Sequence, residues 1–401
     1  MKYYIQTLGC KVNNYDSWEI SNALESIGLH VTLPDMADIV IVNSCAVTSE
    51  SVRKTRQYIN KLKNNNKNCF LILTGCASIL EQFKKNKNVD LICNKDDIID
   101  KIIIKFKINK NFDKKIIIPN LHNRTRFFMK IEDGCENFCS YCIIPFTRGK
   151  IKSKKLEEIE YECKKMSEFG FKEIVLTGIN LGKYGKDLNL NIIDAIKIIR
   201  KYFKRIRLSS LEPDIIDNKL INDLSLFPEI CPSFHMSLQS GSDKILKLMN
   251  RKYDSSFYLY LINKIRNKFK NVTFTTDLIV GFPEEDDKDF ENSIDVIRKS
   301  KFIKVNVFPF SPRPFTAAER LNQIDNKIKK QRVKYAIEAS EQVSKNEISK
   351  FFGQKFKVLF ESKLANNIYS GYSENYIKVN LKYHENLCDE IKEVIFTPDL
   401  S

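Results

Sequence analysis

Three cysteines, Cys135, Cys139 and Cys142, stand in a CxxxCxxC spacing directly after Asp133-Gly134. Thiolates this close in the chain can hold three irons of a four-iron cluster. Such clusters usually take four cysteines, so a set of three leaves one iron open to a small molecule. An open coordination position is what separates a working metal site from a structural one. A zinc knuckle short of its fourth ligand is the competing reading of the same spacing. A second set is scattered along the chain: Cys10 follows Gly9, Cys45 follows Asn43-Ser44, and Cys76 follows Gly75. Each closes an apolar stretch with the pattern of a buried strand. Open α/β sheets bind ligands beyond the carboxyl ends of their strands, so three cysteines at three such ends converge there. They imply another three-thiolate cluster site with an open iron, with glycine at two of the ends leaving room for a bulky group. Cysteines also line ordinary cores, and Cys69 and Cys93, in less patterned positions, read that way. Cys388 is isolated and reads as inert. His30, His122, His235 and His384 show no metal-ligand spacing.

The elements that must position these residues follow from periodicity. Within 1–105, apolar runs at 3–8, 38–42 and 70–73 read as strands of a parallel sheet covered on both faces. Asp16, with Glu19 three residues on, resembles a capping box opening a helix that ends near Gly28, and a second helix spans 48–63. Residues 106–125, with Pro119, read as a linker. From 126 to about 320 a strand-then-helix rhythm recurs, with strands at 127–131, 173–177, 205–209, 234–238, 273–279 and 304–308. Six βα units predict a barrel or partial barrel with its site at the carboxyl ends of the strands. The loops expected there, Thr177-Gly178-Ile179-Asn180, Ser209-Ser210, Gln239-Ser240-Gly241-Ser242 and Asp277 to Glu284, are rich in small and polar residues. They can cradle a ligand, although the same residues make ordinary turns. A charged helix over 323–350, with Ile324, Ile328, Val333, Ala336 and Ile337 on its apolar side, reads as a connector. The remainder, with strands at 355–360, 368–372, 376–380 and 390–396, predicts a small β-barrel of about five strands. Such barrels bind nucleic acid through aromatic and basic residues, here Tyr369, Tyr372, Tyr376 and Lys378, with a core role the alternative for some of the tyrosines.

The chain has 401 residues, 43% of them hydrophobic, which fits two or three globular domains. Its net charge of +16 favours a polyanionic partner, nucleic acid first. The same excess also arises from a composition rich in Lys, Asn and Ile throughout. Eleven cysteines, a start without a secretory layout and no apolar run long enough for a bilayer predict a reducing, cytoplasmic setting and no membrane partner.

The flanks of CxxxCxxC carry a resemblance. Asp133-Gly134-Cys135, the run from Phe138 through Ile143-Ile144-Pro145-Phe146-Thr147-Arg148-Gly149, Leu238-Gln239-Ser240-Gly241-Ser242, and Thr276-Asp277-Leu278-Ile279-Val280-Gly281-Phe282-Pro283-Glu284 resemble the radical S-adenosylmethionine methylthiotransferases. The strand-end cysteines match that family's N-terminal domain, and the final β module its TRAM domain. The resemblance implies an N-terminal methylthiotransferase domain over 1–105, a radical SAM core with a partial (β/α)6 barrel over 121–345, and an RNA-binding β-barrel over 347–401. It implies two [4Fe-4S] clusters, one on Cys135, Cys139 and Cys142 and an auxiliary one on Cys10, Cys45 and Cys76. S-adenosyl-L-methionine is the implied cosubstrate, contacted by Tyr141, Thr177, Gly178, Ser210, Gln239, Ile279 and Gly281. The clusters carry the chemistry, and no protein acid or base is implied. Segments such as Gly170 to Asn180, His235 to Ser242 and Phe308-Pro309-Phe310-Ser311 look most like the branch that methylthiolates C2 of N6-threonylcarbamoyladenosine at position 37 of tRNA. Related branches act on N6-isopentenyladenosine in tRNA or on a ribosomal-protein aspartate. The implied partners are the tRNA anticodon loop and an electron donor such as flavodoxin or ferredoxin. Arg148 and Lys150 are read as phosphate contacts or as solvated surface charges. Asp277 is a departure, standing where the wider superfamily's GxIxGxxE pattern has glycine.

Overall fold

A computed structural model describes residues 1–108 and 125–400. Most of the expected linker, with Pro119 and His122, lies outside the described residues. The described residues form two compact units that do not follow chain order. Gly134–Lys150 and Ser311–Glu319 cluster with the N-terminal part of the chain, and the rest forms the second unit.

The first unit is built on a parallel sheet of β1 (Lys2–Thr7), β2 (His30–Val31), β3 (Ile39–Ser44), β4 (Phe70–Gly75) and β5 (Leu91–Ile92), in the order β2-β1-β3-β4-β5. Side chains alternate across a strand, so β3 feeds two cores. Val40 and Val42 pack with Leu71, Leu73 and the helix Ser49–Asn65 through Val52, Ile59 and Leu62. Ile39 and Ile41 pack with Ile72 and the helices Lys11–Ser26 and Ile98–Phe106. Thr48 caps the helix Ser49–Asn65, accepting from Ser51 N at 3.1 Å. The capping box expected at Asp16 is not there: the helix starts at Lys11 with Cys10 as its N-cap, and Asp16 is a buried residue inside it.

The second unit holds β6 (Arg126–Lys130), the short antiparallel pair β7 (Glu132–Asp133) and β8 (Lys152–Ser153), β9 (Glu173–Thr177), β10 (Ile206–Leu208), β11 (Ser210–Leu211), β12 (Ser233–Met236), β13 (Thr273–Val280) and β14 (Lys304–Pro309). Two parallel sheets, β10-β9-β6 and β11-β12-β13-β14, make the partial barrel. The expected strand at 205–209 is divided at Ser209 between them. Of the apolar side expected for the helix Asn326–Ser349, Ala336 is buried but Ile328 and Ile337 are not. Lys329, Arg332 and Ser340 are buried with it. Charge pairing decides this: Arg332 donates to Glu285 Oε2 at 2.7 Å and to Asp287 Oδ1 at 2.8 Å.

The unit ends in a curled antiparallel sheet of four strands rather than about five, β15 (Lys355–Lys363), β16 (Ile368–Ser373), β17 (Lys378–Lys382) and β18 (Ile391–Ile395), in the order β17-β16-β15-β18. Its core is Phe356, Val358, Phe360, Tyr369, Ile377 and Phe396. The sheet docks against the amino ends of the barrel strands. Glu173, at the start of β9, takes Arg205 Nε at 3.0 Å and Arg207 Nε at 2.9 Å. Arg205 also donates to Lys357 O and Tyr372 O, and Arg207 to Ser373 O and Glu374 O, at 2.9–3.2 Å. The tyrosines offered for nucleic acid are consumed here. Tyr369 is core, and Tyr372 and Tyr376 stack on each other at 4.6 Å with Arg126 5.3 Å from Tyr372 and Arg207 4.8 Å from Tyr376. Among the described residues no helix is long and apolar enough to cross a membrane.

Candidate metal centre

Both cysteine sets fall in the first unit. Cys45 and Cys76 stand directly after the carboxyl ends of β3 and β4, and Cys10 three residues after that of β1, as their sequence positions predict. Register aligns those ends: Thr7 pairs with Asn43, and Ser44 with Gly75. The thiols gather. Burial raises the Cys45 thiol above its ordinary range, and the neighbouring Cys76 and Cys10 sulfurs raise it further. The strand-end glycine expected to make room for a bulky group instead lets two strand ends meet. Gly9 sits at φ +105°, and a Cβ there would stand 2.7 Å from Cys45 Cβ.

Polar side chains tie this cluster of thiols to the CxxxCxxC segment. Asn13 donates to Leu8 O and Ser44 O at 2.7 and 2.9 Å, fixing the ends of two strands. Arg148, six residues past Cys142, donates to Asn13 Oδ1 at 2.6 Å, Asp16 Oδ2 at 2.9 Å and Cys76 Sγ at 3.4 Å. Arg148 is therefore an internal ion-pair partner rather than a phosphate contact, while Lys150 is exposed. Ile143, next to Cys142, is buried in the core cluster that contains Cys76 and Ala77. The CxxxCxxC segment is shaped by its own backbone bonds, Cys135 N to Gly149 O at 3.0 Å and Cys142 N to Cys139 O at 2.9 Å. Ala318 N donates to Ser140 O at 2.8 Å. Around it Phe138, Phe146 and Phe315 form one exposed aromatic surface, with ring centroids 6.2 and 5.9 Å apart. Phe138 and Phe315 hold positive φ of 47° and 72°, an uncommon state for bulky residues that concentrates at functional sites.

Among the described residues no three His, Cys, Asp or Glu side chains close on one point as ligands of a single ion. A four-iron cluster, with one thiolate per iron, holds its ligands farther apart than one ion does. The donor chemistry of each set, three cysteine thiols outside any disulfide, fits it. One further observation fits as well. Arg313 is buried at 7% exposure beside Cys45, and every hydrogen-bond acceptor it has is neutral.

In the second unit the expected ligand-loop residues divide. Ser210 Oγ lies 2.9 Å from Ser237 Oγ. Gln239, at φ +65°, is held between strands by its N to Asp277 O and by Ile279 N to its own O, both at 2.9 Å. Thr177, buried at the end of β9, and Gly178 lie beside a residue that sequence reasoning missed, Glu132. A Cβ on Gly178 would stand 2.7 Å from Glu132 Oε2, which accepts from Asn180 N at 2.7 Å. Glu132 is 1% exposed, and its Oε1 has no hydrogen-bond partner. Burial pushes its carboxyl up to about 7, further than the backbone donors Asn180 and Ile179 pull it down. Gly281 N donates to Glu285 Oε2 at 2.5 Å, so this glycine serves the loop's own packing. Tyr141 belongs to the first unit. The partners of His235 were not foreseen: its Nδ1 meets Thr275 Oγ1 at 2.9 Å and its Nε2 Asp277 Oδ2 at 3.3 Å, and Asn306 Nδ2 donates to Asp277 Oδ1 at 2.9 Å. The signal was the period-two alternation of adjacent strands, legible only once their register is known.

Comparison with known proteins agrees with this architecture. Residues 129–297 match the Radical SAM superfamily, and residues 2–94 match the uncharacterized protein family UPF0004. The chain is 38% identical to the threonylcarbamoyladenosine tRNA methylthiotransferase MtaB of Thermotoga maritima, covering 93% of this chain and 90% of that protein. It is 32% identical to the MtaB of Bacillus subtilis over 97% and 92%. With the tRNA-2-methylthio-N(6)-dimethylallyladenosine synthase of Petrotoga mobilis the identity is 33% over 98% and 96%. The fold is shared with the radical S-adenosylmethionine methyltransferase TsrM from Kitasatospora setae, at a TM-score of 0.57 and 11% identity over 79% of this chain and 76% of that one. With two three-cysteine sets in one unit, a partial barrel in the other and relatives matched along most of its length, the chain belongs to the radical S-adenosylmethionine methylthiotransferase family.

Proposed function

We propose that this chain methylthiolates C2 of N6-threonylcarbamoyladenosine at position 37 of tRNA, using S-adenosyl-L-methionine and two [4Fe-4S] clusters. The observation that carries the reading is the presence of two separate three-thiol sets in one compact unit, since one set alone would serve radical generation without sulfur insertion. The branch follows the relatives at 38% and 32% identity named for threonylcarbamoyladenosine. The dimethylallyladenosine enzyme at 33% supports the second reading, in which the adenosine methylthiolated at C2 is N6-isopentenyladenosine.

Cys135, Cys139 and Cys142 are assigned to the cluster that meets S-adenosylmethionine, and Cys10, Cys45 and Cys76 to the auxiliary cluster. When bound, these groups supply a deoxyadenosyl radical able to take hydrogen from C2 and the sulfur that replaces it. The protein's share is placement. Backbone bonds of Cys135 and Cys142 set the spacing of the first three thiols, and the alignment of β1, β3 and β4 sets that of the second three. Tyr141, Thr177, Gly178, Ser210, Gln239, Ile279 and Gly281 are the proposed cosubstrate contacts. Glu132 holds the turn at Gly178–Asn180 in shape. With Tyr369, Tyr372 and Tyr376 engaged elsewhere, the exposed ring of Phe138, within the motif, and those of Phe146 and Phe315 packed beside it form an aromatic surface on which an unpaired loop base can stack. A low-potential donor such as flavodoxin or ferredoxin, in the cytoplasm, completes the reading.

Two measurements test it. Nucleoside analysis of tRNA from a strain lacking the gene should show loss of the 2-methylthio form of threonylcarbamoyladenosine; loss of the isopentenyl counterpart instead selects the second reading. Anaerobically reconstituted protein should bind about eight irons, and about four after alanine replacement of either cysteine set. Deoxyadenosine formation should vanish only with Cys135, Cys139 and Cys142. Loss of both clusters from either triple variant would overturn the assignment.

A further inference from the structure

Arg313 is a buried cation in the same unit as both cysteine sets, and no carboxylate pairs with it among the described residues. Its guanidinium is buried, and its hydrogen bonds go to Pro312 O at 2.7 Å, Ser311 Oγ at 3.1 Å, Ala46 O at 3.4 Å and Ser49 Oγ. None of these acceptors is charged. Arg148 in the same unit shows the contrast, because Asp16 neutralises it at 2.9 Å. Burying an ionised group without a counter-charge is costly, and buried charges in proteins are normally paired or next to a metal site. The ionisable groups within electrostatic reach of Arg313 are Glu319, which is exposed and therefore screened by solvent, and Cys45. Two of the acceptors lie one and four residues beyond Cys45 in the chain, so the cation is fixed to the same loop as the thiol. It stays charged there, since guanidinium does not give up its proton in proteins.

We infer that Arg313 is the counter-charge of the cluster assigned to Cys10, Cys45 and Cys76 and sets its reduction potential. The inference rests on that assignment. Three thiolates bring three negative charges to the site, and reduction adds one electron with no proton to compensate it. A fixed cation beside Cys45 favours the more negative, reduced state, and its removal makes the cluster harder to reduce. Arg313 is a positioning and tuning residue in this role. The pairing also explains why a segment more than 250 residues away in sequence closes onto the loop after β3.

The test uses the full chain with Cys135, Cys139 and Cys142 replaced by alanine, so that only the auxiliary cluster is present. Iron content is measured first, then the potential by dithionite titration followed by electron paramagnetic resonance. R313Q is expected to shift the oxidised-to-reduced ratio at fixed potential at least tenfold toward oxidised, about 59 mV for a one-electron couple, and R313K is expected to restore most of it. R313Q losing the cluster while R313K keeps it also supports the role of charge. A bound cluster with an unmoved potential in R313Q overturns the inference, as does equal loss of the cluster from R313Q and R313K, which would mark a merely structural contact. Failure of the parent triple variant to bind any iron is a different result, because it removes the cluster assignment itself.

Discussion

A carboxyl group held at about 7 makes Glu132 the residue whose chemistry is easiest to test by pH. Its pKa in the fold lies above the ordinary 4.5, so the folded chain keeps a proton that the unfolded chain releases. Stability from this group is therefore full below about pH 4.5 and falls as pH rises toward 7, where the carboxylate is buried as a charge. Glu132→Gln keeps the acceptor for Asn180 N and removes that penalty. At pH 8 the variant is expected to be more stable than the parent by roughly 3 kcal/mol at most, with no difference at pH 4.5. Denaturant melts at both values check it, and an equal difference at the two pH values would refute it. At this scale the cysteines were legible, because a cysteine repeated at strand ends is a pattern within the sequence. Arg148, Arg313 and Glu132 were not, because each acquires its partner from a distant segment: Asp16 lies 132 residues from Arg148, and Asn180 48 residues from Glu132.

Strand β9 shows how one element carries two tasks. Its carboxyl end leads into the Gly178 turn, while its first residue, Glu173, is the centre of a buried ion network. Burial alone would raise that carboxyl. The charges and hydrogen bonds of Arg207, with Arg205 and Arg126, outweigh it and hold Glu173 down at about 2. The sign is opposite to that of Glu132: this contribution is complete above about pH 4.5 and is lost as pH falls toward 2. Glu173→Gln is expected to cost about 3–5 kcal/mol at pH 7, because it leaves buried arginines without their counter-charge. The cost should shrink in acid, and a melting temperature unchanged at pH 7 would contradict it. Most long strands were legible to within a residue or two because apolar runs bounded by glycine and polar turns leave little choice, whereas two-residue strands such as β2, β5, β7 and β8 are too short to leave a pattern. The inward face of the helix Asn326–Ser349 was legible only at Ala336, since its buried lysine and arginine look like surface residues until Glu285 and Asp287 are seen opposite Arg332.

Across the whole molecule, compact units and chain order diverge. Both cysteine sets and the Arg313 segment assemble in one unit from three separated stretches, which no local pattern announces. The C-terminal sheet was legible as a β module, but its tyrosines stayed open between RNA contact and core because exposure cannot be read from aromatic content. Deleting everything after Gly353 removes four carbonyl acceptors from Arg205 and Arg207. Hydrogen bonds to charged groups are worth about 1.5–3 kcal/mol each, against a typical total stability of about 5–15 kcal/mol. The truncated chain is expected to aggregate or to melt well below the full chain, as gel filtration and calorimetry would show; a soluble, equally stable truncation would contradict the docking. The nature of those four acceptors carries a consequence of its own. A peptide carbonyl is the same whatever side chain its residue bears, so the arginines on the barrel rim read the shape of the module's main chain. Outside Glu361, Tyr372 and Tyr376, whose side chains also meet Arg126 and Arg207, the module's sequence can drift without loosening these four bonds, whereas a shift of its backbone cannot be absorbed. A grafted module of otherwise foreign sequence should dock provided that its backbone presents oxygens in the same four places and it keeps Glu361, Tyr372 and Tyr376.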